Sequence, residues 1–281
     1  MRCAEHHHRR AATVVRTGCV GRRKHWPDLR DHDARWHVGL HDGERGVALS
    51  NFADIRRAAR DEGFTLHPIK TRPPYLKAYE FTPDFVIDVG VHDGTPWLYR
   101  SFPDAHFVLV DPQAECEAAV KAGVSPKSFD FRAVALGAEQ GKALLSVPET
   151  EPGKGGAMAS LKERTDKLAC SFSDVAKREV PVITLDMLAA DLPGRLGLKI
   201  DTEGFEFEVL KGGTETLTRC DFVILEMSVT HRFKGVAPPS AVIAELAKAG
   251  LEFRDVLAMA AHAGKKAQPR HMDVLFTRWD A

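Results

Sequence analysis

Each shortage in this chain removes a class of protein. Net charge is missing: 39 Lys plus Arg balance 39 Asp plus Glu over 281 residues. A chain that coats nucleic acid needs a surplus of cations, and an acidic solvating protein needs the opposite, so neither class fits and no nucleic-acid partner is expected. Aromatic residues make up 8%, with no hint of base-stacking platforms. No apolar run approaches the roughly 18 residues of a membrane span; the longest strand-like runs are Phe107 to Val110 and Phe222 to Leu225. Cysteine is scarce and odd in number. Cys3, Cys19, Cys116, Cys170 and Cys220 are scattered, with no CxxC pair. That spacing suits neither a disulfide scaffold nor a zinc site and makes a reduced, cytoplasmic protein the default. The first residues also lack the apolar core of a secretion signal. What remains, 44% hydrophobic and 28% charged residues, is the composition of an ordinary globular protein with length for a full core. Nothing in the pattern sets an oligomeric state.

The zero conceals two unequal parts. Residues 1–46 hold ten Lys or Arg, six acids and seven of the thirteen histidines. They therefore carry +4, and residues 47–281 carry −4. Apolar residues in the first part follow neither a helical nor a strand period, so a basic, His/Arg-rich tail without regular structure is expected there. The run His6-His7-His8 invites a metal-site reading. Three adjacent histidines cannot all face one ion from a regular element, which favours a plain tail. The domain is then 47–281, with a helical lead-in at 47–83 and a core at 84–281.

Ser50 or Asn51 can cap a helix that runs to about Glu62 and stops at Gly63. Pro68, Pro73 and Pro74 mark an irregular connection. From Asp84 strands and helices alternate. Strands are predicted at 84–89, 105–110, 131–136, 196–200 and 221–227. Helices are predicted at 96–102, 113–122, 185–190 (capped by Thr184), 205–210 (ended by Gly212-Gly213) and 241–249 (capped by Ser240). Residues 151–156 read as a flexible loop, 180–183 as a short extended piece, and 251–256 with 272–277 as a closing pair of strands. Such alternation implies an α/β domain with a mostly parallel sheet and helices on both faces. Ligands in such sheets sit beyond the carboxyl ends of the strands.

The first of these strands ends in Asp88-Val-Gly90-Val-His-Asp-Gly94-Thr95, and the second in Asp111-Pro112. Gly90 permits a tight turn and a close ligand. Asp111 follows Gly90 by 21 positions, near the spacing of about 20 at which a carboxylate reaches a ribose diol. A dinucleotide fingerprint needs a further glycine, but position 92 is His92, and Pro96 removes an amide donor from the next helix. The loop therefore fits a nucleoside-type ligand without a pyrophosphate better than NAD. S-adenosylmethionine is the leading candidate, its amino-acid part at the glycine loop and its ribose at Asp111. The bland alternative is a tight turn followed by a surface Asp-Pro corner.

In the fourth strand, period 2 puts Lys199 and Asp201 on one face and Ile200 on the other. A lysine in a sheet covered on both sides needs a carboxylate partner or a wet cleft. Glu203 and Glu206 follow at a helix start, where the dipole favours negative charge.

The stretch Lys199-Ile-Asp-Thr-Glu-Gly-Phe-Glu-Phe-Glu-Val-Leu-Lys-Gly212 resembles the hallmark segment of FkbM-type S-adenosylmethionine-dependent methyltransferases. Val86 to Gly90 with Gly94, Val110-Asp-Pro112, Ala133 to Gly137, Ala159-Ser-Leu161, Val182 to Asp186 and Val223 to Glu226 resemble that family's other motifs in order. The resemblance spans roughly 47–281. It departs at Val91-His92, where Ala-Asn is usual, and at Asp111, where glutamate is more usual. It implies a Rossmann-like class I methyltransferase fold with a C-terminal antiparallel strand. It also implies a donor held by Asp88, Gly90, His92, Gly94, Thr95, Asp111, Pro112, Ala133 and Val134. The reaction implied is methyl transfer to an oxygen of a sugar, glycan, lipid-linked sugar or natural product. Asp201 is the first candidate for the base or for orienting the acceptor, and His231 the second. Lys199, Glu203 and Glu226 are candidates for the acceptor pocket. Asp201, Glu203 and Glu226 are also a conceivable Mg²⁺ cluster of hard oxygen ligands. Two competing readings are a non-catalytic binding or scaffold protein on the same fold, for which His92 leaves room, and an NAD-dependent oxidoreductase, against which position 92 speaks.

Overall fold

The computed structural model describes residues 52–149, 155–165, 174–261 and 269–279, and the backbone of three short strands nearer the N-terminus. The chain divides into two compact units, Met1–Pro68 and Ile69–Ala281. In the first, β1 (Thr13–Val15), β2 (Trp36–Gly39) and β3 (Val47–Leu49) form an antiparallel sheet in that order. Two of these strands lie inside the stretch read as an unstructured tail. At three or four residues each, they are too short for an alternation to register in the sequence. The helix α1 (Phe52–Asp61) follows and is closed by Gly63 at φ +81°. His6-His7-His8, Cys3, Cys19, Cys170, residues 151–154 and the cap candidates Ser50 and Asn51 lie outside the described residues.

The second unit opens with α2 (Pro73–Lys77), β4 (Phe85–Val89), α3 (Pro96–Ser101), β5 (His106–Val110), α4 (Cys116–Ala122) and β6 (Phe129–Arg132). Then come β7 (Ala135–Leu136), β8 (Gly141–Glu149), a 3-10 turn (Gly155–Met158), β9 (Asp174–Ile183) and α5 (Leu185–Ala189). It closes with β10 (Leu196–Ile200), α6 (Glu206–Lys211), α7 (Thr214–Thr218), β11 (Cys220–Ser228), α8 (Pro239–Lys248), β12 (Leu251–Ala261) and β13 (Pro269–Arg278). The main sheet has the order β12-β13-β11-β10-β4-β5-β6. β6, β5, β4, β10 and β11 pair in parallel, and β13 is antiparallel to both neighbours. This is the expected mostly parallel sheet with one reversed strand near its end.

Apolar runs explain the centre. All five residues of β10 and four of the five in β4 and in β5 are buried, as strands covered on both faces must be. Along β4, Val86 joins one core with Leu98, Phe107 and Phe222, while Ile87 joins the other with Leu198, Leu225 and Phe276. The expected helices lie on these faces, and Thr184 caps α5 through its hydroxyl. No helix among the described residues is long and apolar enough to cross a membrane.

Three expectations differ from the structure. The predicted strand 131–136 is two strands in different sheets. The chain turns at Ala133-Val134, where Val134 N–H donates to Arg132, and β7 continues in a second sheet of order β7-β9-β8. β9 is largely exposed, so its apolar pattern is faint, and only its end at 180–183 is legible. α8 starts at Pro239, with Pro238 rather than Ser240 in the cap position, a place where the fixed φ of proline suits the first turn. α7 starts directly after Gly212-Gly213; the Asp186 carboxylate caps it by accepting from the backbone N–H and the hydroxyl of Thr216, each at 2.7 Å.

Candidate functional site

A cavity of about 370 Å³ opens at the carboxyl ends of β4, β5 and β10, where an open parallel sheet places its ligand. Its first wall is the glycine loop. Gly90 has φ +80°, and a Cβ there would lie 1.7 Å from the carbonyl oxygen of Asp201. The demand for glycine therefore comes from the close approach of the β4 and β10 ends. His92 adopts φ +47°, so it keeps a glycine-like backbone without being glycine. Its N–H donates to Asp111 Oδ2 at 3.0 Å, and Gln113 N–H donates to Asp111 Oδ1 at 2.9 Å. Asp111 thus ties the loop to the end of β5; its Oδ1 also accepts a longer bond from Gln113 Nε2 at 3.5 Å, and its Oδ2 keeps acceptor capacity for a further donor. Gln113 Nε2 donates to the carbonyl of Gly156 at 3.2 Å. A Cβ on Gly156 would meet Gln113 at 3.0 Å and the His92 ring at 3.3 Å. The 3-10 turn is seated on these two side chains.

Beneath the cavity, Asp88 is fully buried and does not line it. It accepts from the Tyr99 hydroxyl at 3.1 Å and lies 3.4 Å from Lys199 Nζ. Asp88 therefore corrects its sequence assignment: it anchors Lys199 rather than facing a ligand. Lys199 lines the cavity and is 3.5 Å from Asp201 Oδ2. Burial alone would lower its pKa, but Asp88, Asp201 and Asp273 outweigh that and hold it above the usual lysine range. Burial, reinforced by Asp88, likewise raises the Tyr99 hydroxyl.

The opposite wall carries the carboxylates of Asp201, Glu203, Glu226 and Asp273. Glu203, at φ +51°, accepts from Arg164 at 2.8 Å and from Arg232 at 2.6 Å. Arg232, 2% exposed, also donates to Glu226 at 2.7 Å, and His271 Nε2 lies 3.4 Å from the other Glu226 oxygen. Burial raises Glu203, and burial with the charges of Asp201 and Glu203 raises Glu226, in both cases against the opposing pull of Arg232. Burial, then the charge of Asp201, lifts Asp273 to about 6, and burial lowers His271 to about 4. Glu206 has a different task. One oxygen accepts from the N–H groups of Thr202 and Gly204 and from the Thr202 hydroxyl, which holds the turn into α6, and burial raises it to about 7.

Of the predicted site residues, Gly90, His92, Gly94, Thr95, Asp111, Pro112, Val134, Lys199, Asp201, Glu203 and Glu226 all line this one cavity. Two do not. Ala133 is exposed on the turn between β6 and β7, and Val134 takes its place. His231 is exposed and off the cavity. Its carbonyl accepts from the Thr165 hydroxyl, and the neighbouring Arg232 turns inward instead. The conceived Mg²⁺ cluster is also altered: Glu203 and Glu226 are turned onto Arg232. Among the described residues no group of three His, Cys, Asp or Glu side chains is arranged to hold a metal. Arg164, Arg232, His271 and Asp273 carry no motif that singles them out in the sequence. Asp273 is found only through the pairing of β13 with β11, which sets it opposite Glu226.

No curated protein sequence matches the chain. Among solved structures, a methyltransferase FkbM from Methylobacillus flagellatus KT is 12% identical with a TM-score of 0.46; the overlay covers 75% of this chain and 48% of that one. This chain thus spans about half the length of that relative. A magnesium protoporphyrin IX methyltransferase from Synechocystis PCC 6803 with bound SAM is 11% identical at TM-score 0.41, covering 84% and 86%. A 1,6-didemethyltoxoflavin-N1-methyltransferase from Burkholderia thailandensis is 11% identical at TM-score 0.38, covering 90% and 98%. The family described as methyltransferase FkbM domain matches residues 88–266. That match runs through the glycine loop, β10 and β11, which wall the cavity, and it takes in more than half of the sequence: the chain belongs to the FkbM methyltransferase domain family.

Proposed function

We propose that this protein transfers a methyl group from S-adenosylmethionine to a hydroxyl oxygen of a sugar, glycan, lipid-linked sugar or natural product. The observation that carries this reading is a single cavity with Asp111 on the glycine-loop side and the Lys199–Asp201 pair on the other. The donor set fits the cofactor. The volume of about 370 Å³ is in the range of small-ligand sites. Val134, Leu136 and Leu145 give an apolar wall, Asp111 has lone pairs for a diol, and the carboxylates suit a cationic sulfonium. When bound, the cofactor supplies an electrophilic methyl group.

The residues of the chain then have to hold, orient and deprotonate. Asp111 and the loop it ties hold the nucleoside end. Asp201, half-buried at the cavity wall, accepts a hydrogen bond from the acceptor hydroxyl and takes its proton. Lys199, fixed by Asp88, keeps the Asp201 carboxylate aimed. Alignment supplies most of the rate, and a positioned base contributes about 10²–10⁴-fold. An NAD-dependent reaction gains nothing here, because Pro96 occupies the first turn of α3 and withholds an amide from a pyrophosphate.

Calorimetry of the intact chain with S-adenosylhomocysteine tests the donor reading. Asp111→Ala is expected to weaken binding by about tenfold or more, the loss of hydrogen bonds to a charged group. Asp201→Asn is expected to keep that binding and to lower methyl transfer at least about 10²-fold. No binding heat at high ligand concentration overturns the reading. Loss of product binding in Asp201→Asn overturns the division of roles.

A further inference from the structure

We propose that Asp273 contacts the methyl acceptor and bars anionic groups from its end of the cavity, an inference that rests on the methyl-transfer reading above. Asp273 reaches the cavity from β13, beyond the residues 88–266 matched by the family. The strand register sets it directly opposite Glu226, so that ionising both would put like charges face to face on neighbouring strands, which destabilises a sheet. A position that costs stability and faces a cavity marks function.

Hydrogen bonding separates Asp273 from the other three carboxylates on that wall. Glu203 and Glu226 accept from Arg232, and Asp201 from Lys199. No hydrogen bond to the Asp273 carboxylate is found among the described residues, so its lone pairs are open to a ligand donor, a hydroxyl or an amine. The compensating cation Arg232 is buried and does not line the cavity. Lys199, the cation that does line the cavity, is already held between Asp88 and Asp201, so an entering anion meets the Asp273 side of the wall with that lysine engaged and the guanidinium behind it, in surroundings where charge is poorly screened. Asp201 and Lys199 face Asp273 from β10, Glu226 from β11, His271 shares its strand, and its β12 partner is the uncharged Ala258. The rise of Asp273 to about 6, caused first by burial and then by Asp201, is in keeping with a wall that resists further negative charge.

The test compares the intact protein with Asp273→Asn in three measurements. Thermal midpoints are taken at pH 8 and pH 4.5, and S-adenosylhomocysteine binding by calorimetry. Transfer of a labelled methyl group is followed to neutral methyl hexosides and to the corresponding hexuronosides. The proposal expects Asp273→Asn to melt roughly 2–4 °C higher at pH 8, with the gain shrinking at pH 4.5, where the native carboxyl is already protonated. It expects product binding within about twofold. It expects transfer to the neutral probes to fall about tenfold, through KM more than kcat, and discrimination against the hexuronosides to relax. A lower midpoint at pH 8, an unchanged KM, or a wild-type preference for hexuronosides overturns the proposal. Lost product binding in the variant places Asp273 on the donor side and overturns it too. Product binding without transfer to either probe set overturns the acceptor assignment while leaving the donor reading intact. A wild-type protein that binds no product overturns the methyl-transfer reading on which this one stands.

Discussion

Gly90 and His92 meet the same backbone demand with different residues. Both lie in the left-handed region, at φ +80° and +47°. At Gly90 a side chain is impossible, because its Cβ would sit 1.7 Å from the backbone of Asp201. Gly90→Ala should therefore cost about 3 kcal/mol or more in urea unfolding, from strain plus forced separation of two strand ends; a cost under about 1 kcal/mol would show that the strand ends can part. At His92 only the torsion is strained. His92→Gly removes about 1–2 kcal/mol of left-handed strain but adds unfolded-state freedom worth about 0.5–1 kcal/mol. The variant should unfold within about 1 kcal/mol of the parent, and a loss beyond that in the same titration would show that the ring seated on Gly156 carries the stability. The need for a turn here is legible from the two glycines around His92. That Gly90 answers to Asp201, 111 residues away, is not, because a close approach between strands leaves no local mark. Asp88 shows the same limit: spacing places it in the motif but cannot tell a ligand contact from a buried anchor for Lys199.

At the scale of elements, the passage from β10 to α6 shows a helix start assembled from buried charge. Glu203 and Gly204, at φ +51° and +100°, turn the chain, and Glu206 then accepts from the amides of Thr202 and Gly204. Burial holds the Glu206 carboxyl up to about 7 in the folded state, against about 4.3 when unfolded. A raised acid is stabilising when protonated, so stability falls as pH rises from the unfolded value through the folded one. A glutamine side chain at this position would accept the same bonds without an ion to desolvate. Glu206→Gln should match the parent near pH 4.5 and exceed it by about 2–3 kcal/mol at pH 8, read from urea midpoints at the two pH values; a variant weaker at pH 8 would mean that the carboxylate charge itself holds the turn. The central strands, the Thr184 cap and the Gly63 stop are readable because each carries a local signal, an apolar run or a punctuating residue. The break between β6 and β7 has neither glycine nor proline at its turn, and β9 exposes too much surface for a period to show.

At the scale of the whole molecule, every buried member of the three hydrophobic cores found among the described residues lies at or after Leu76, inside the second unit, Ile69–Ala281. The composition hides this division, since that unit carries 26 basic and 30 acidic residues, a net −4, and the remaining residues restore the balance. Charge and periodicity place a boundary at 46/47, whereas the compact unit begins at 69. The contacts that fix the second edge are long-range: Lys70 pairs with Asp255 at 2.5 Å, the Tyr75 hydroxyl donates to the same carboxylate, and Leu76 is fully buried. A chain starting at Ile69 keeps all three and should unfold in one cooperative urea transition, with S-adenosylhomocysteine affinity within about twofold of the parent, because the cores and the cavity lining are retained. A chain starting at Tyr79 loses the ion pair, the tyrosine and a buried leucine. It should be weaker by about 3–5 kcal/mol, the order of a large core deletion with a partly buried carboxylate left unpaired. If the Ile69 chain unfolds without cooperativity or no longer binds the product, Met1–Pro68 contributes to the fold or to the site. If the Tyr79 chain is as stable as the Ile69 chain, the anchoring at Asp255 is dispensable and the working edge of the domain lies further along the sequence.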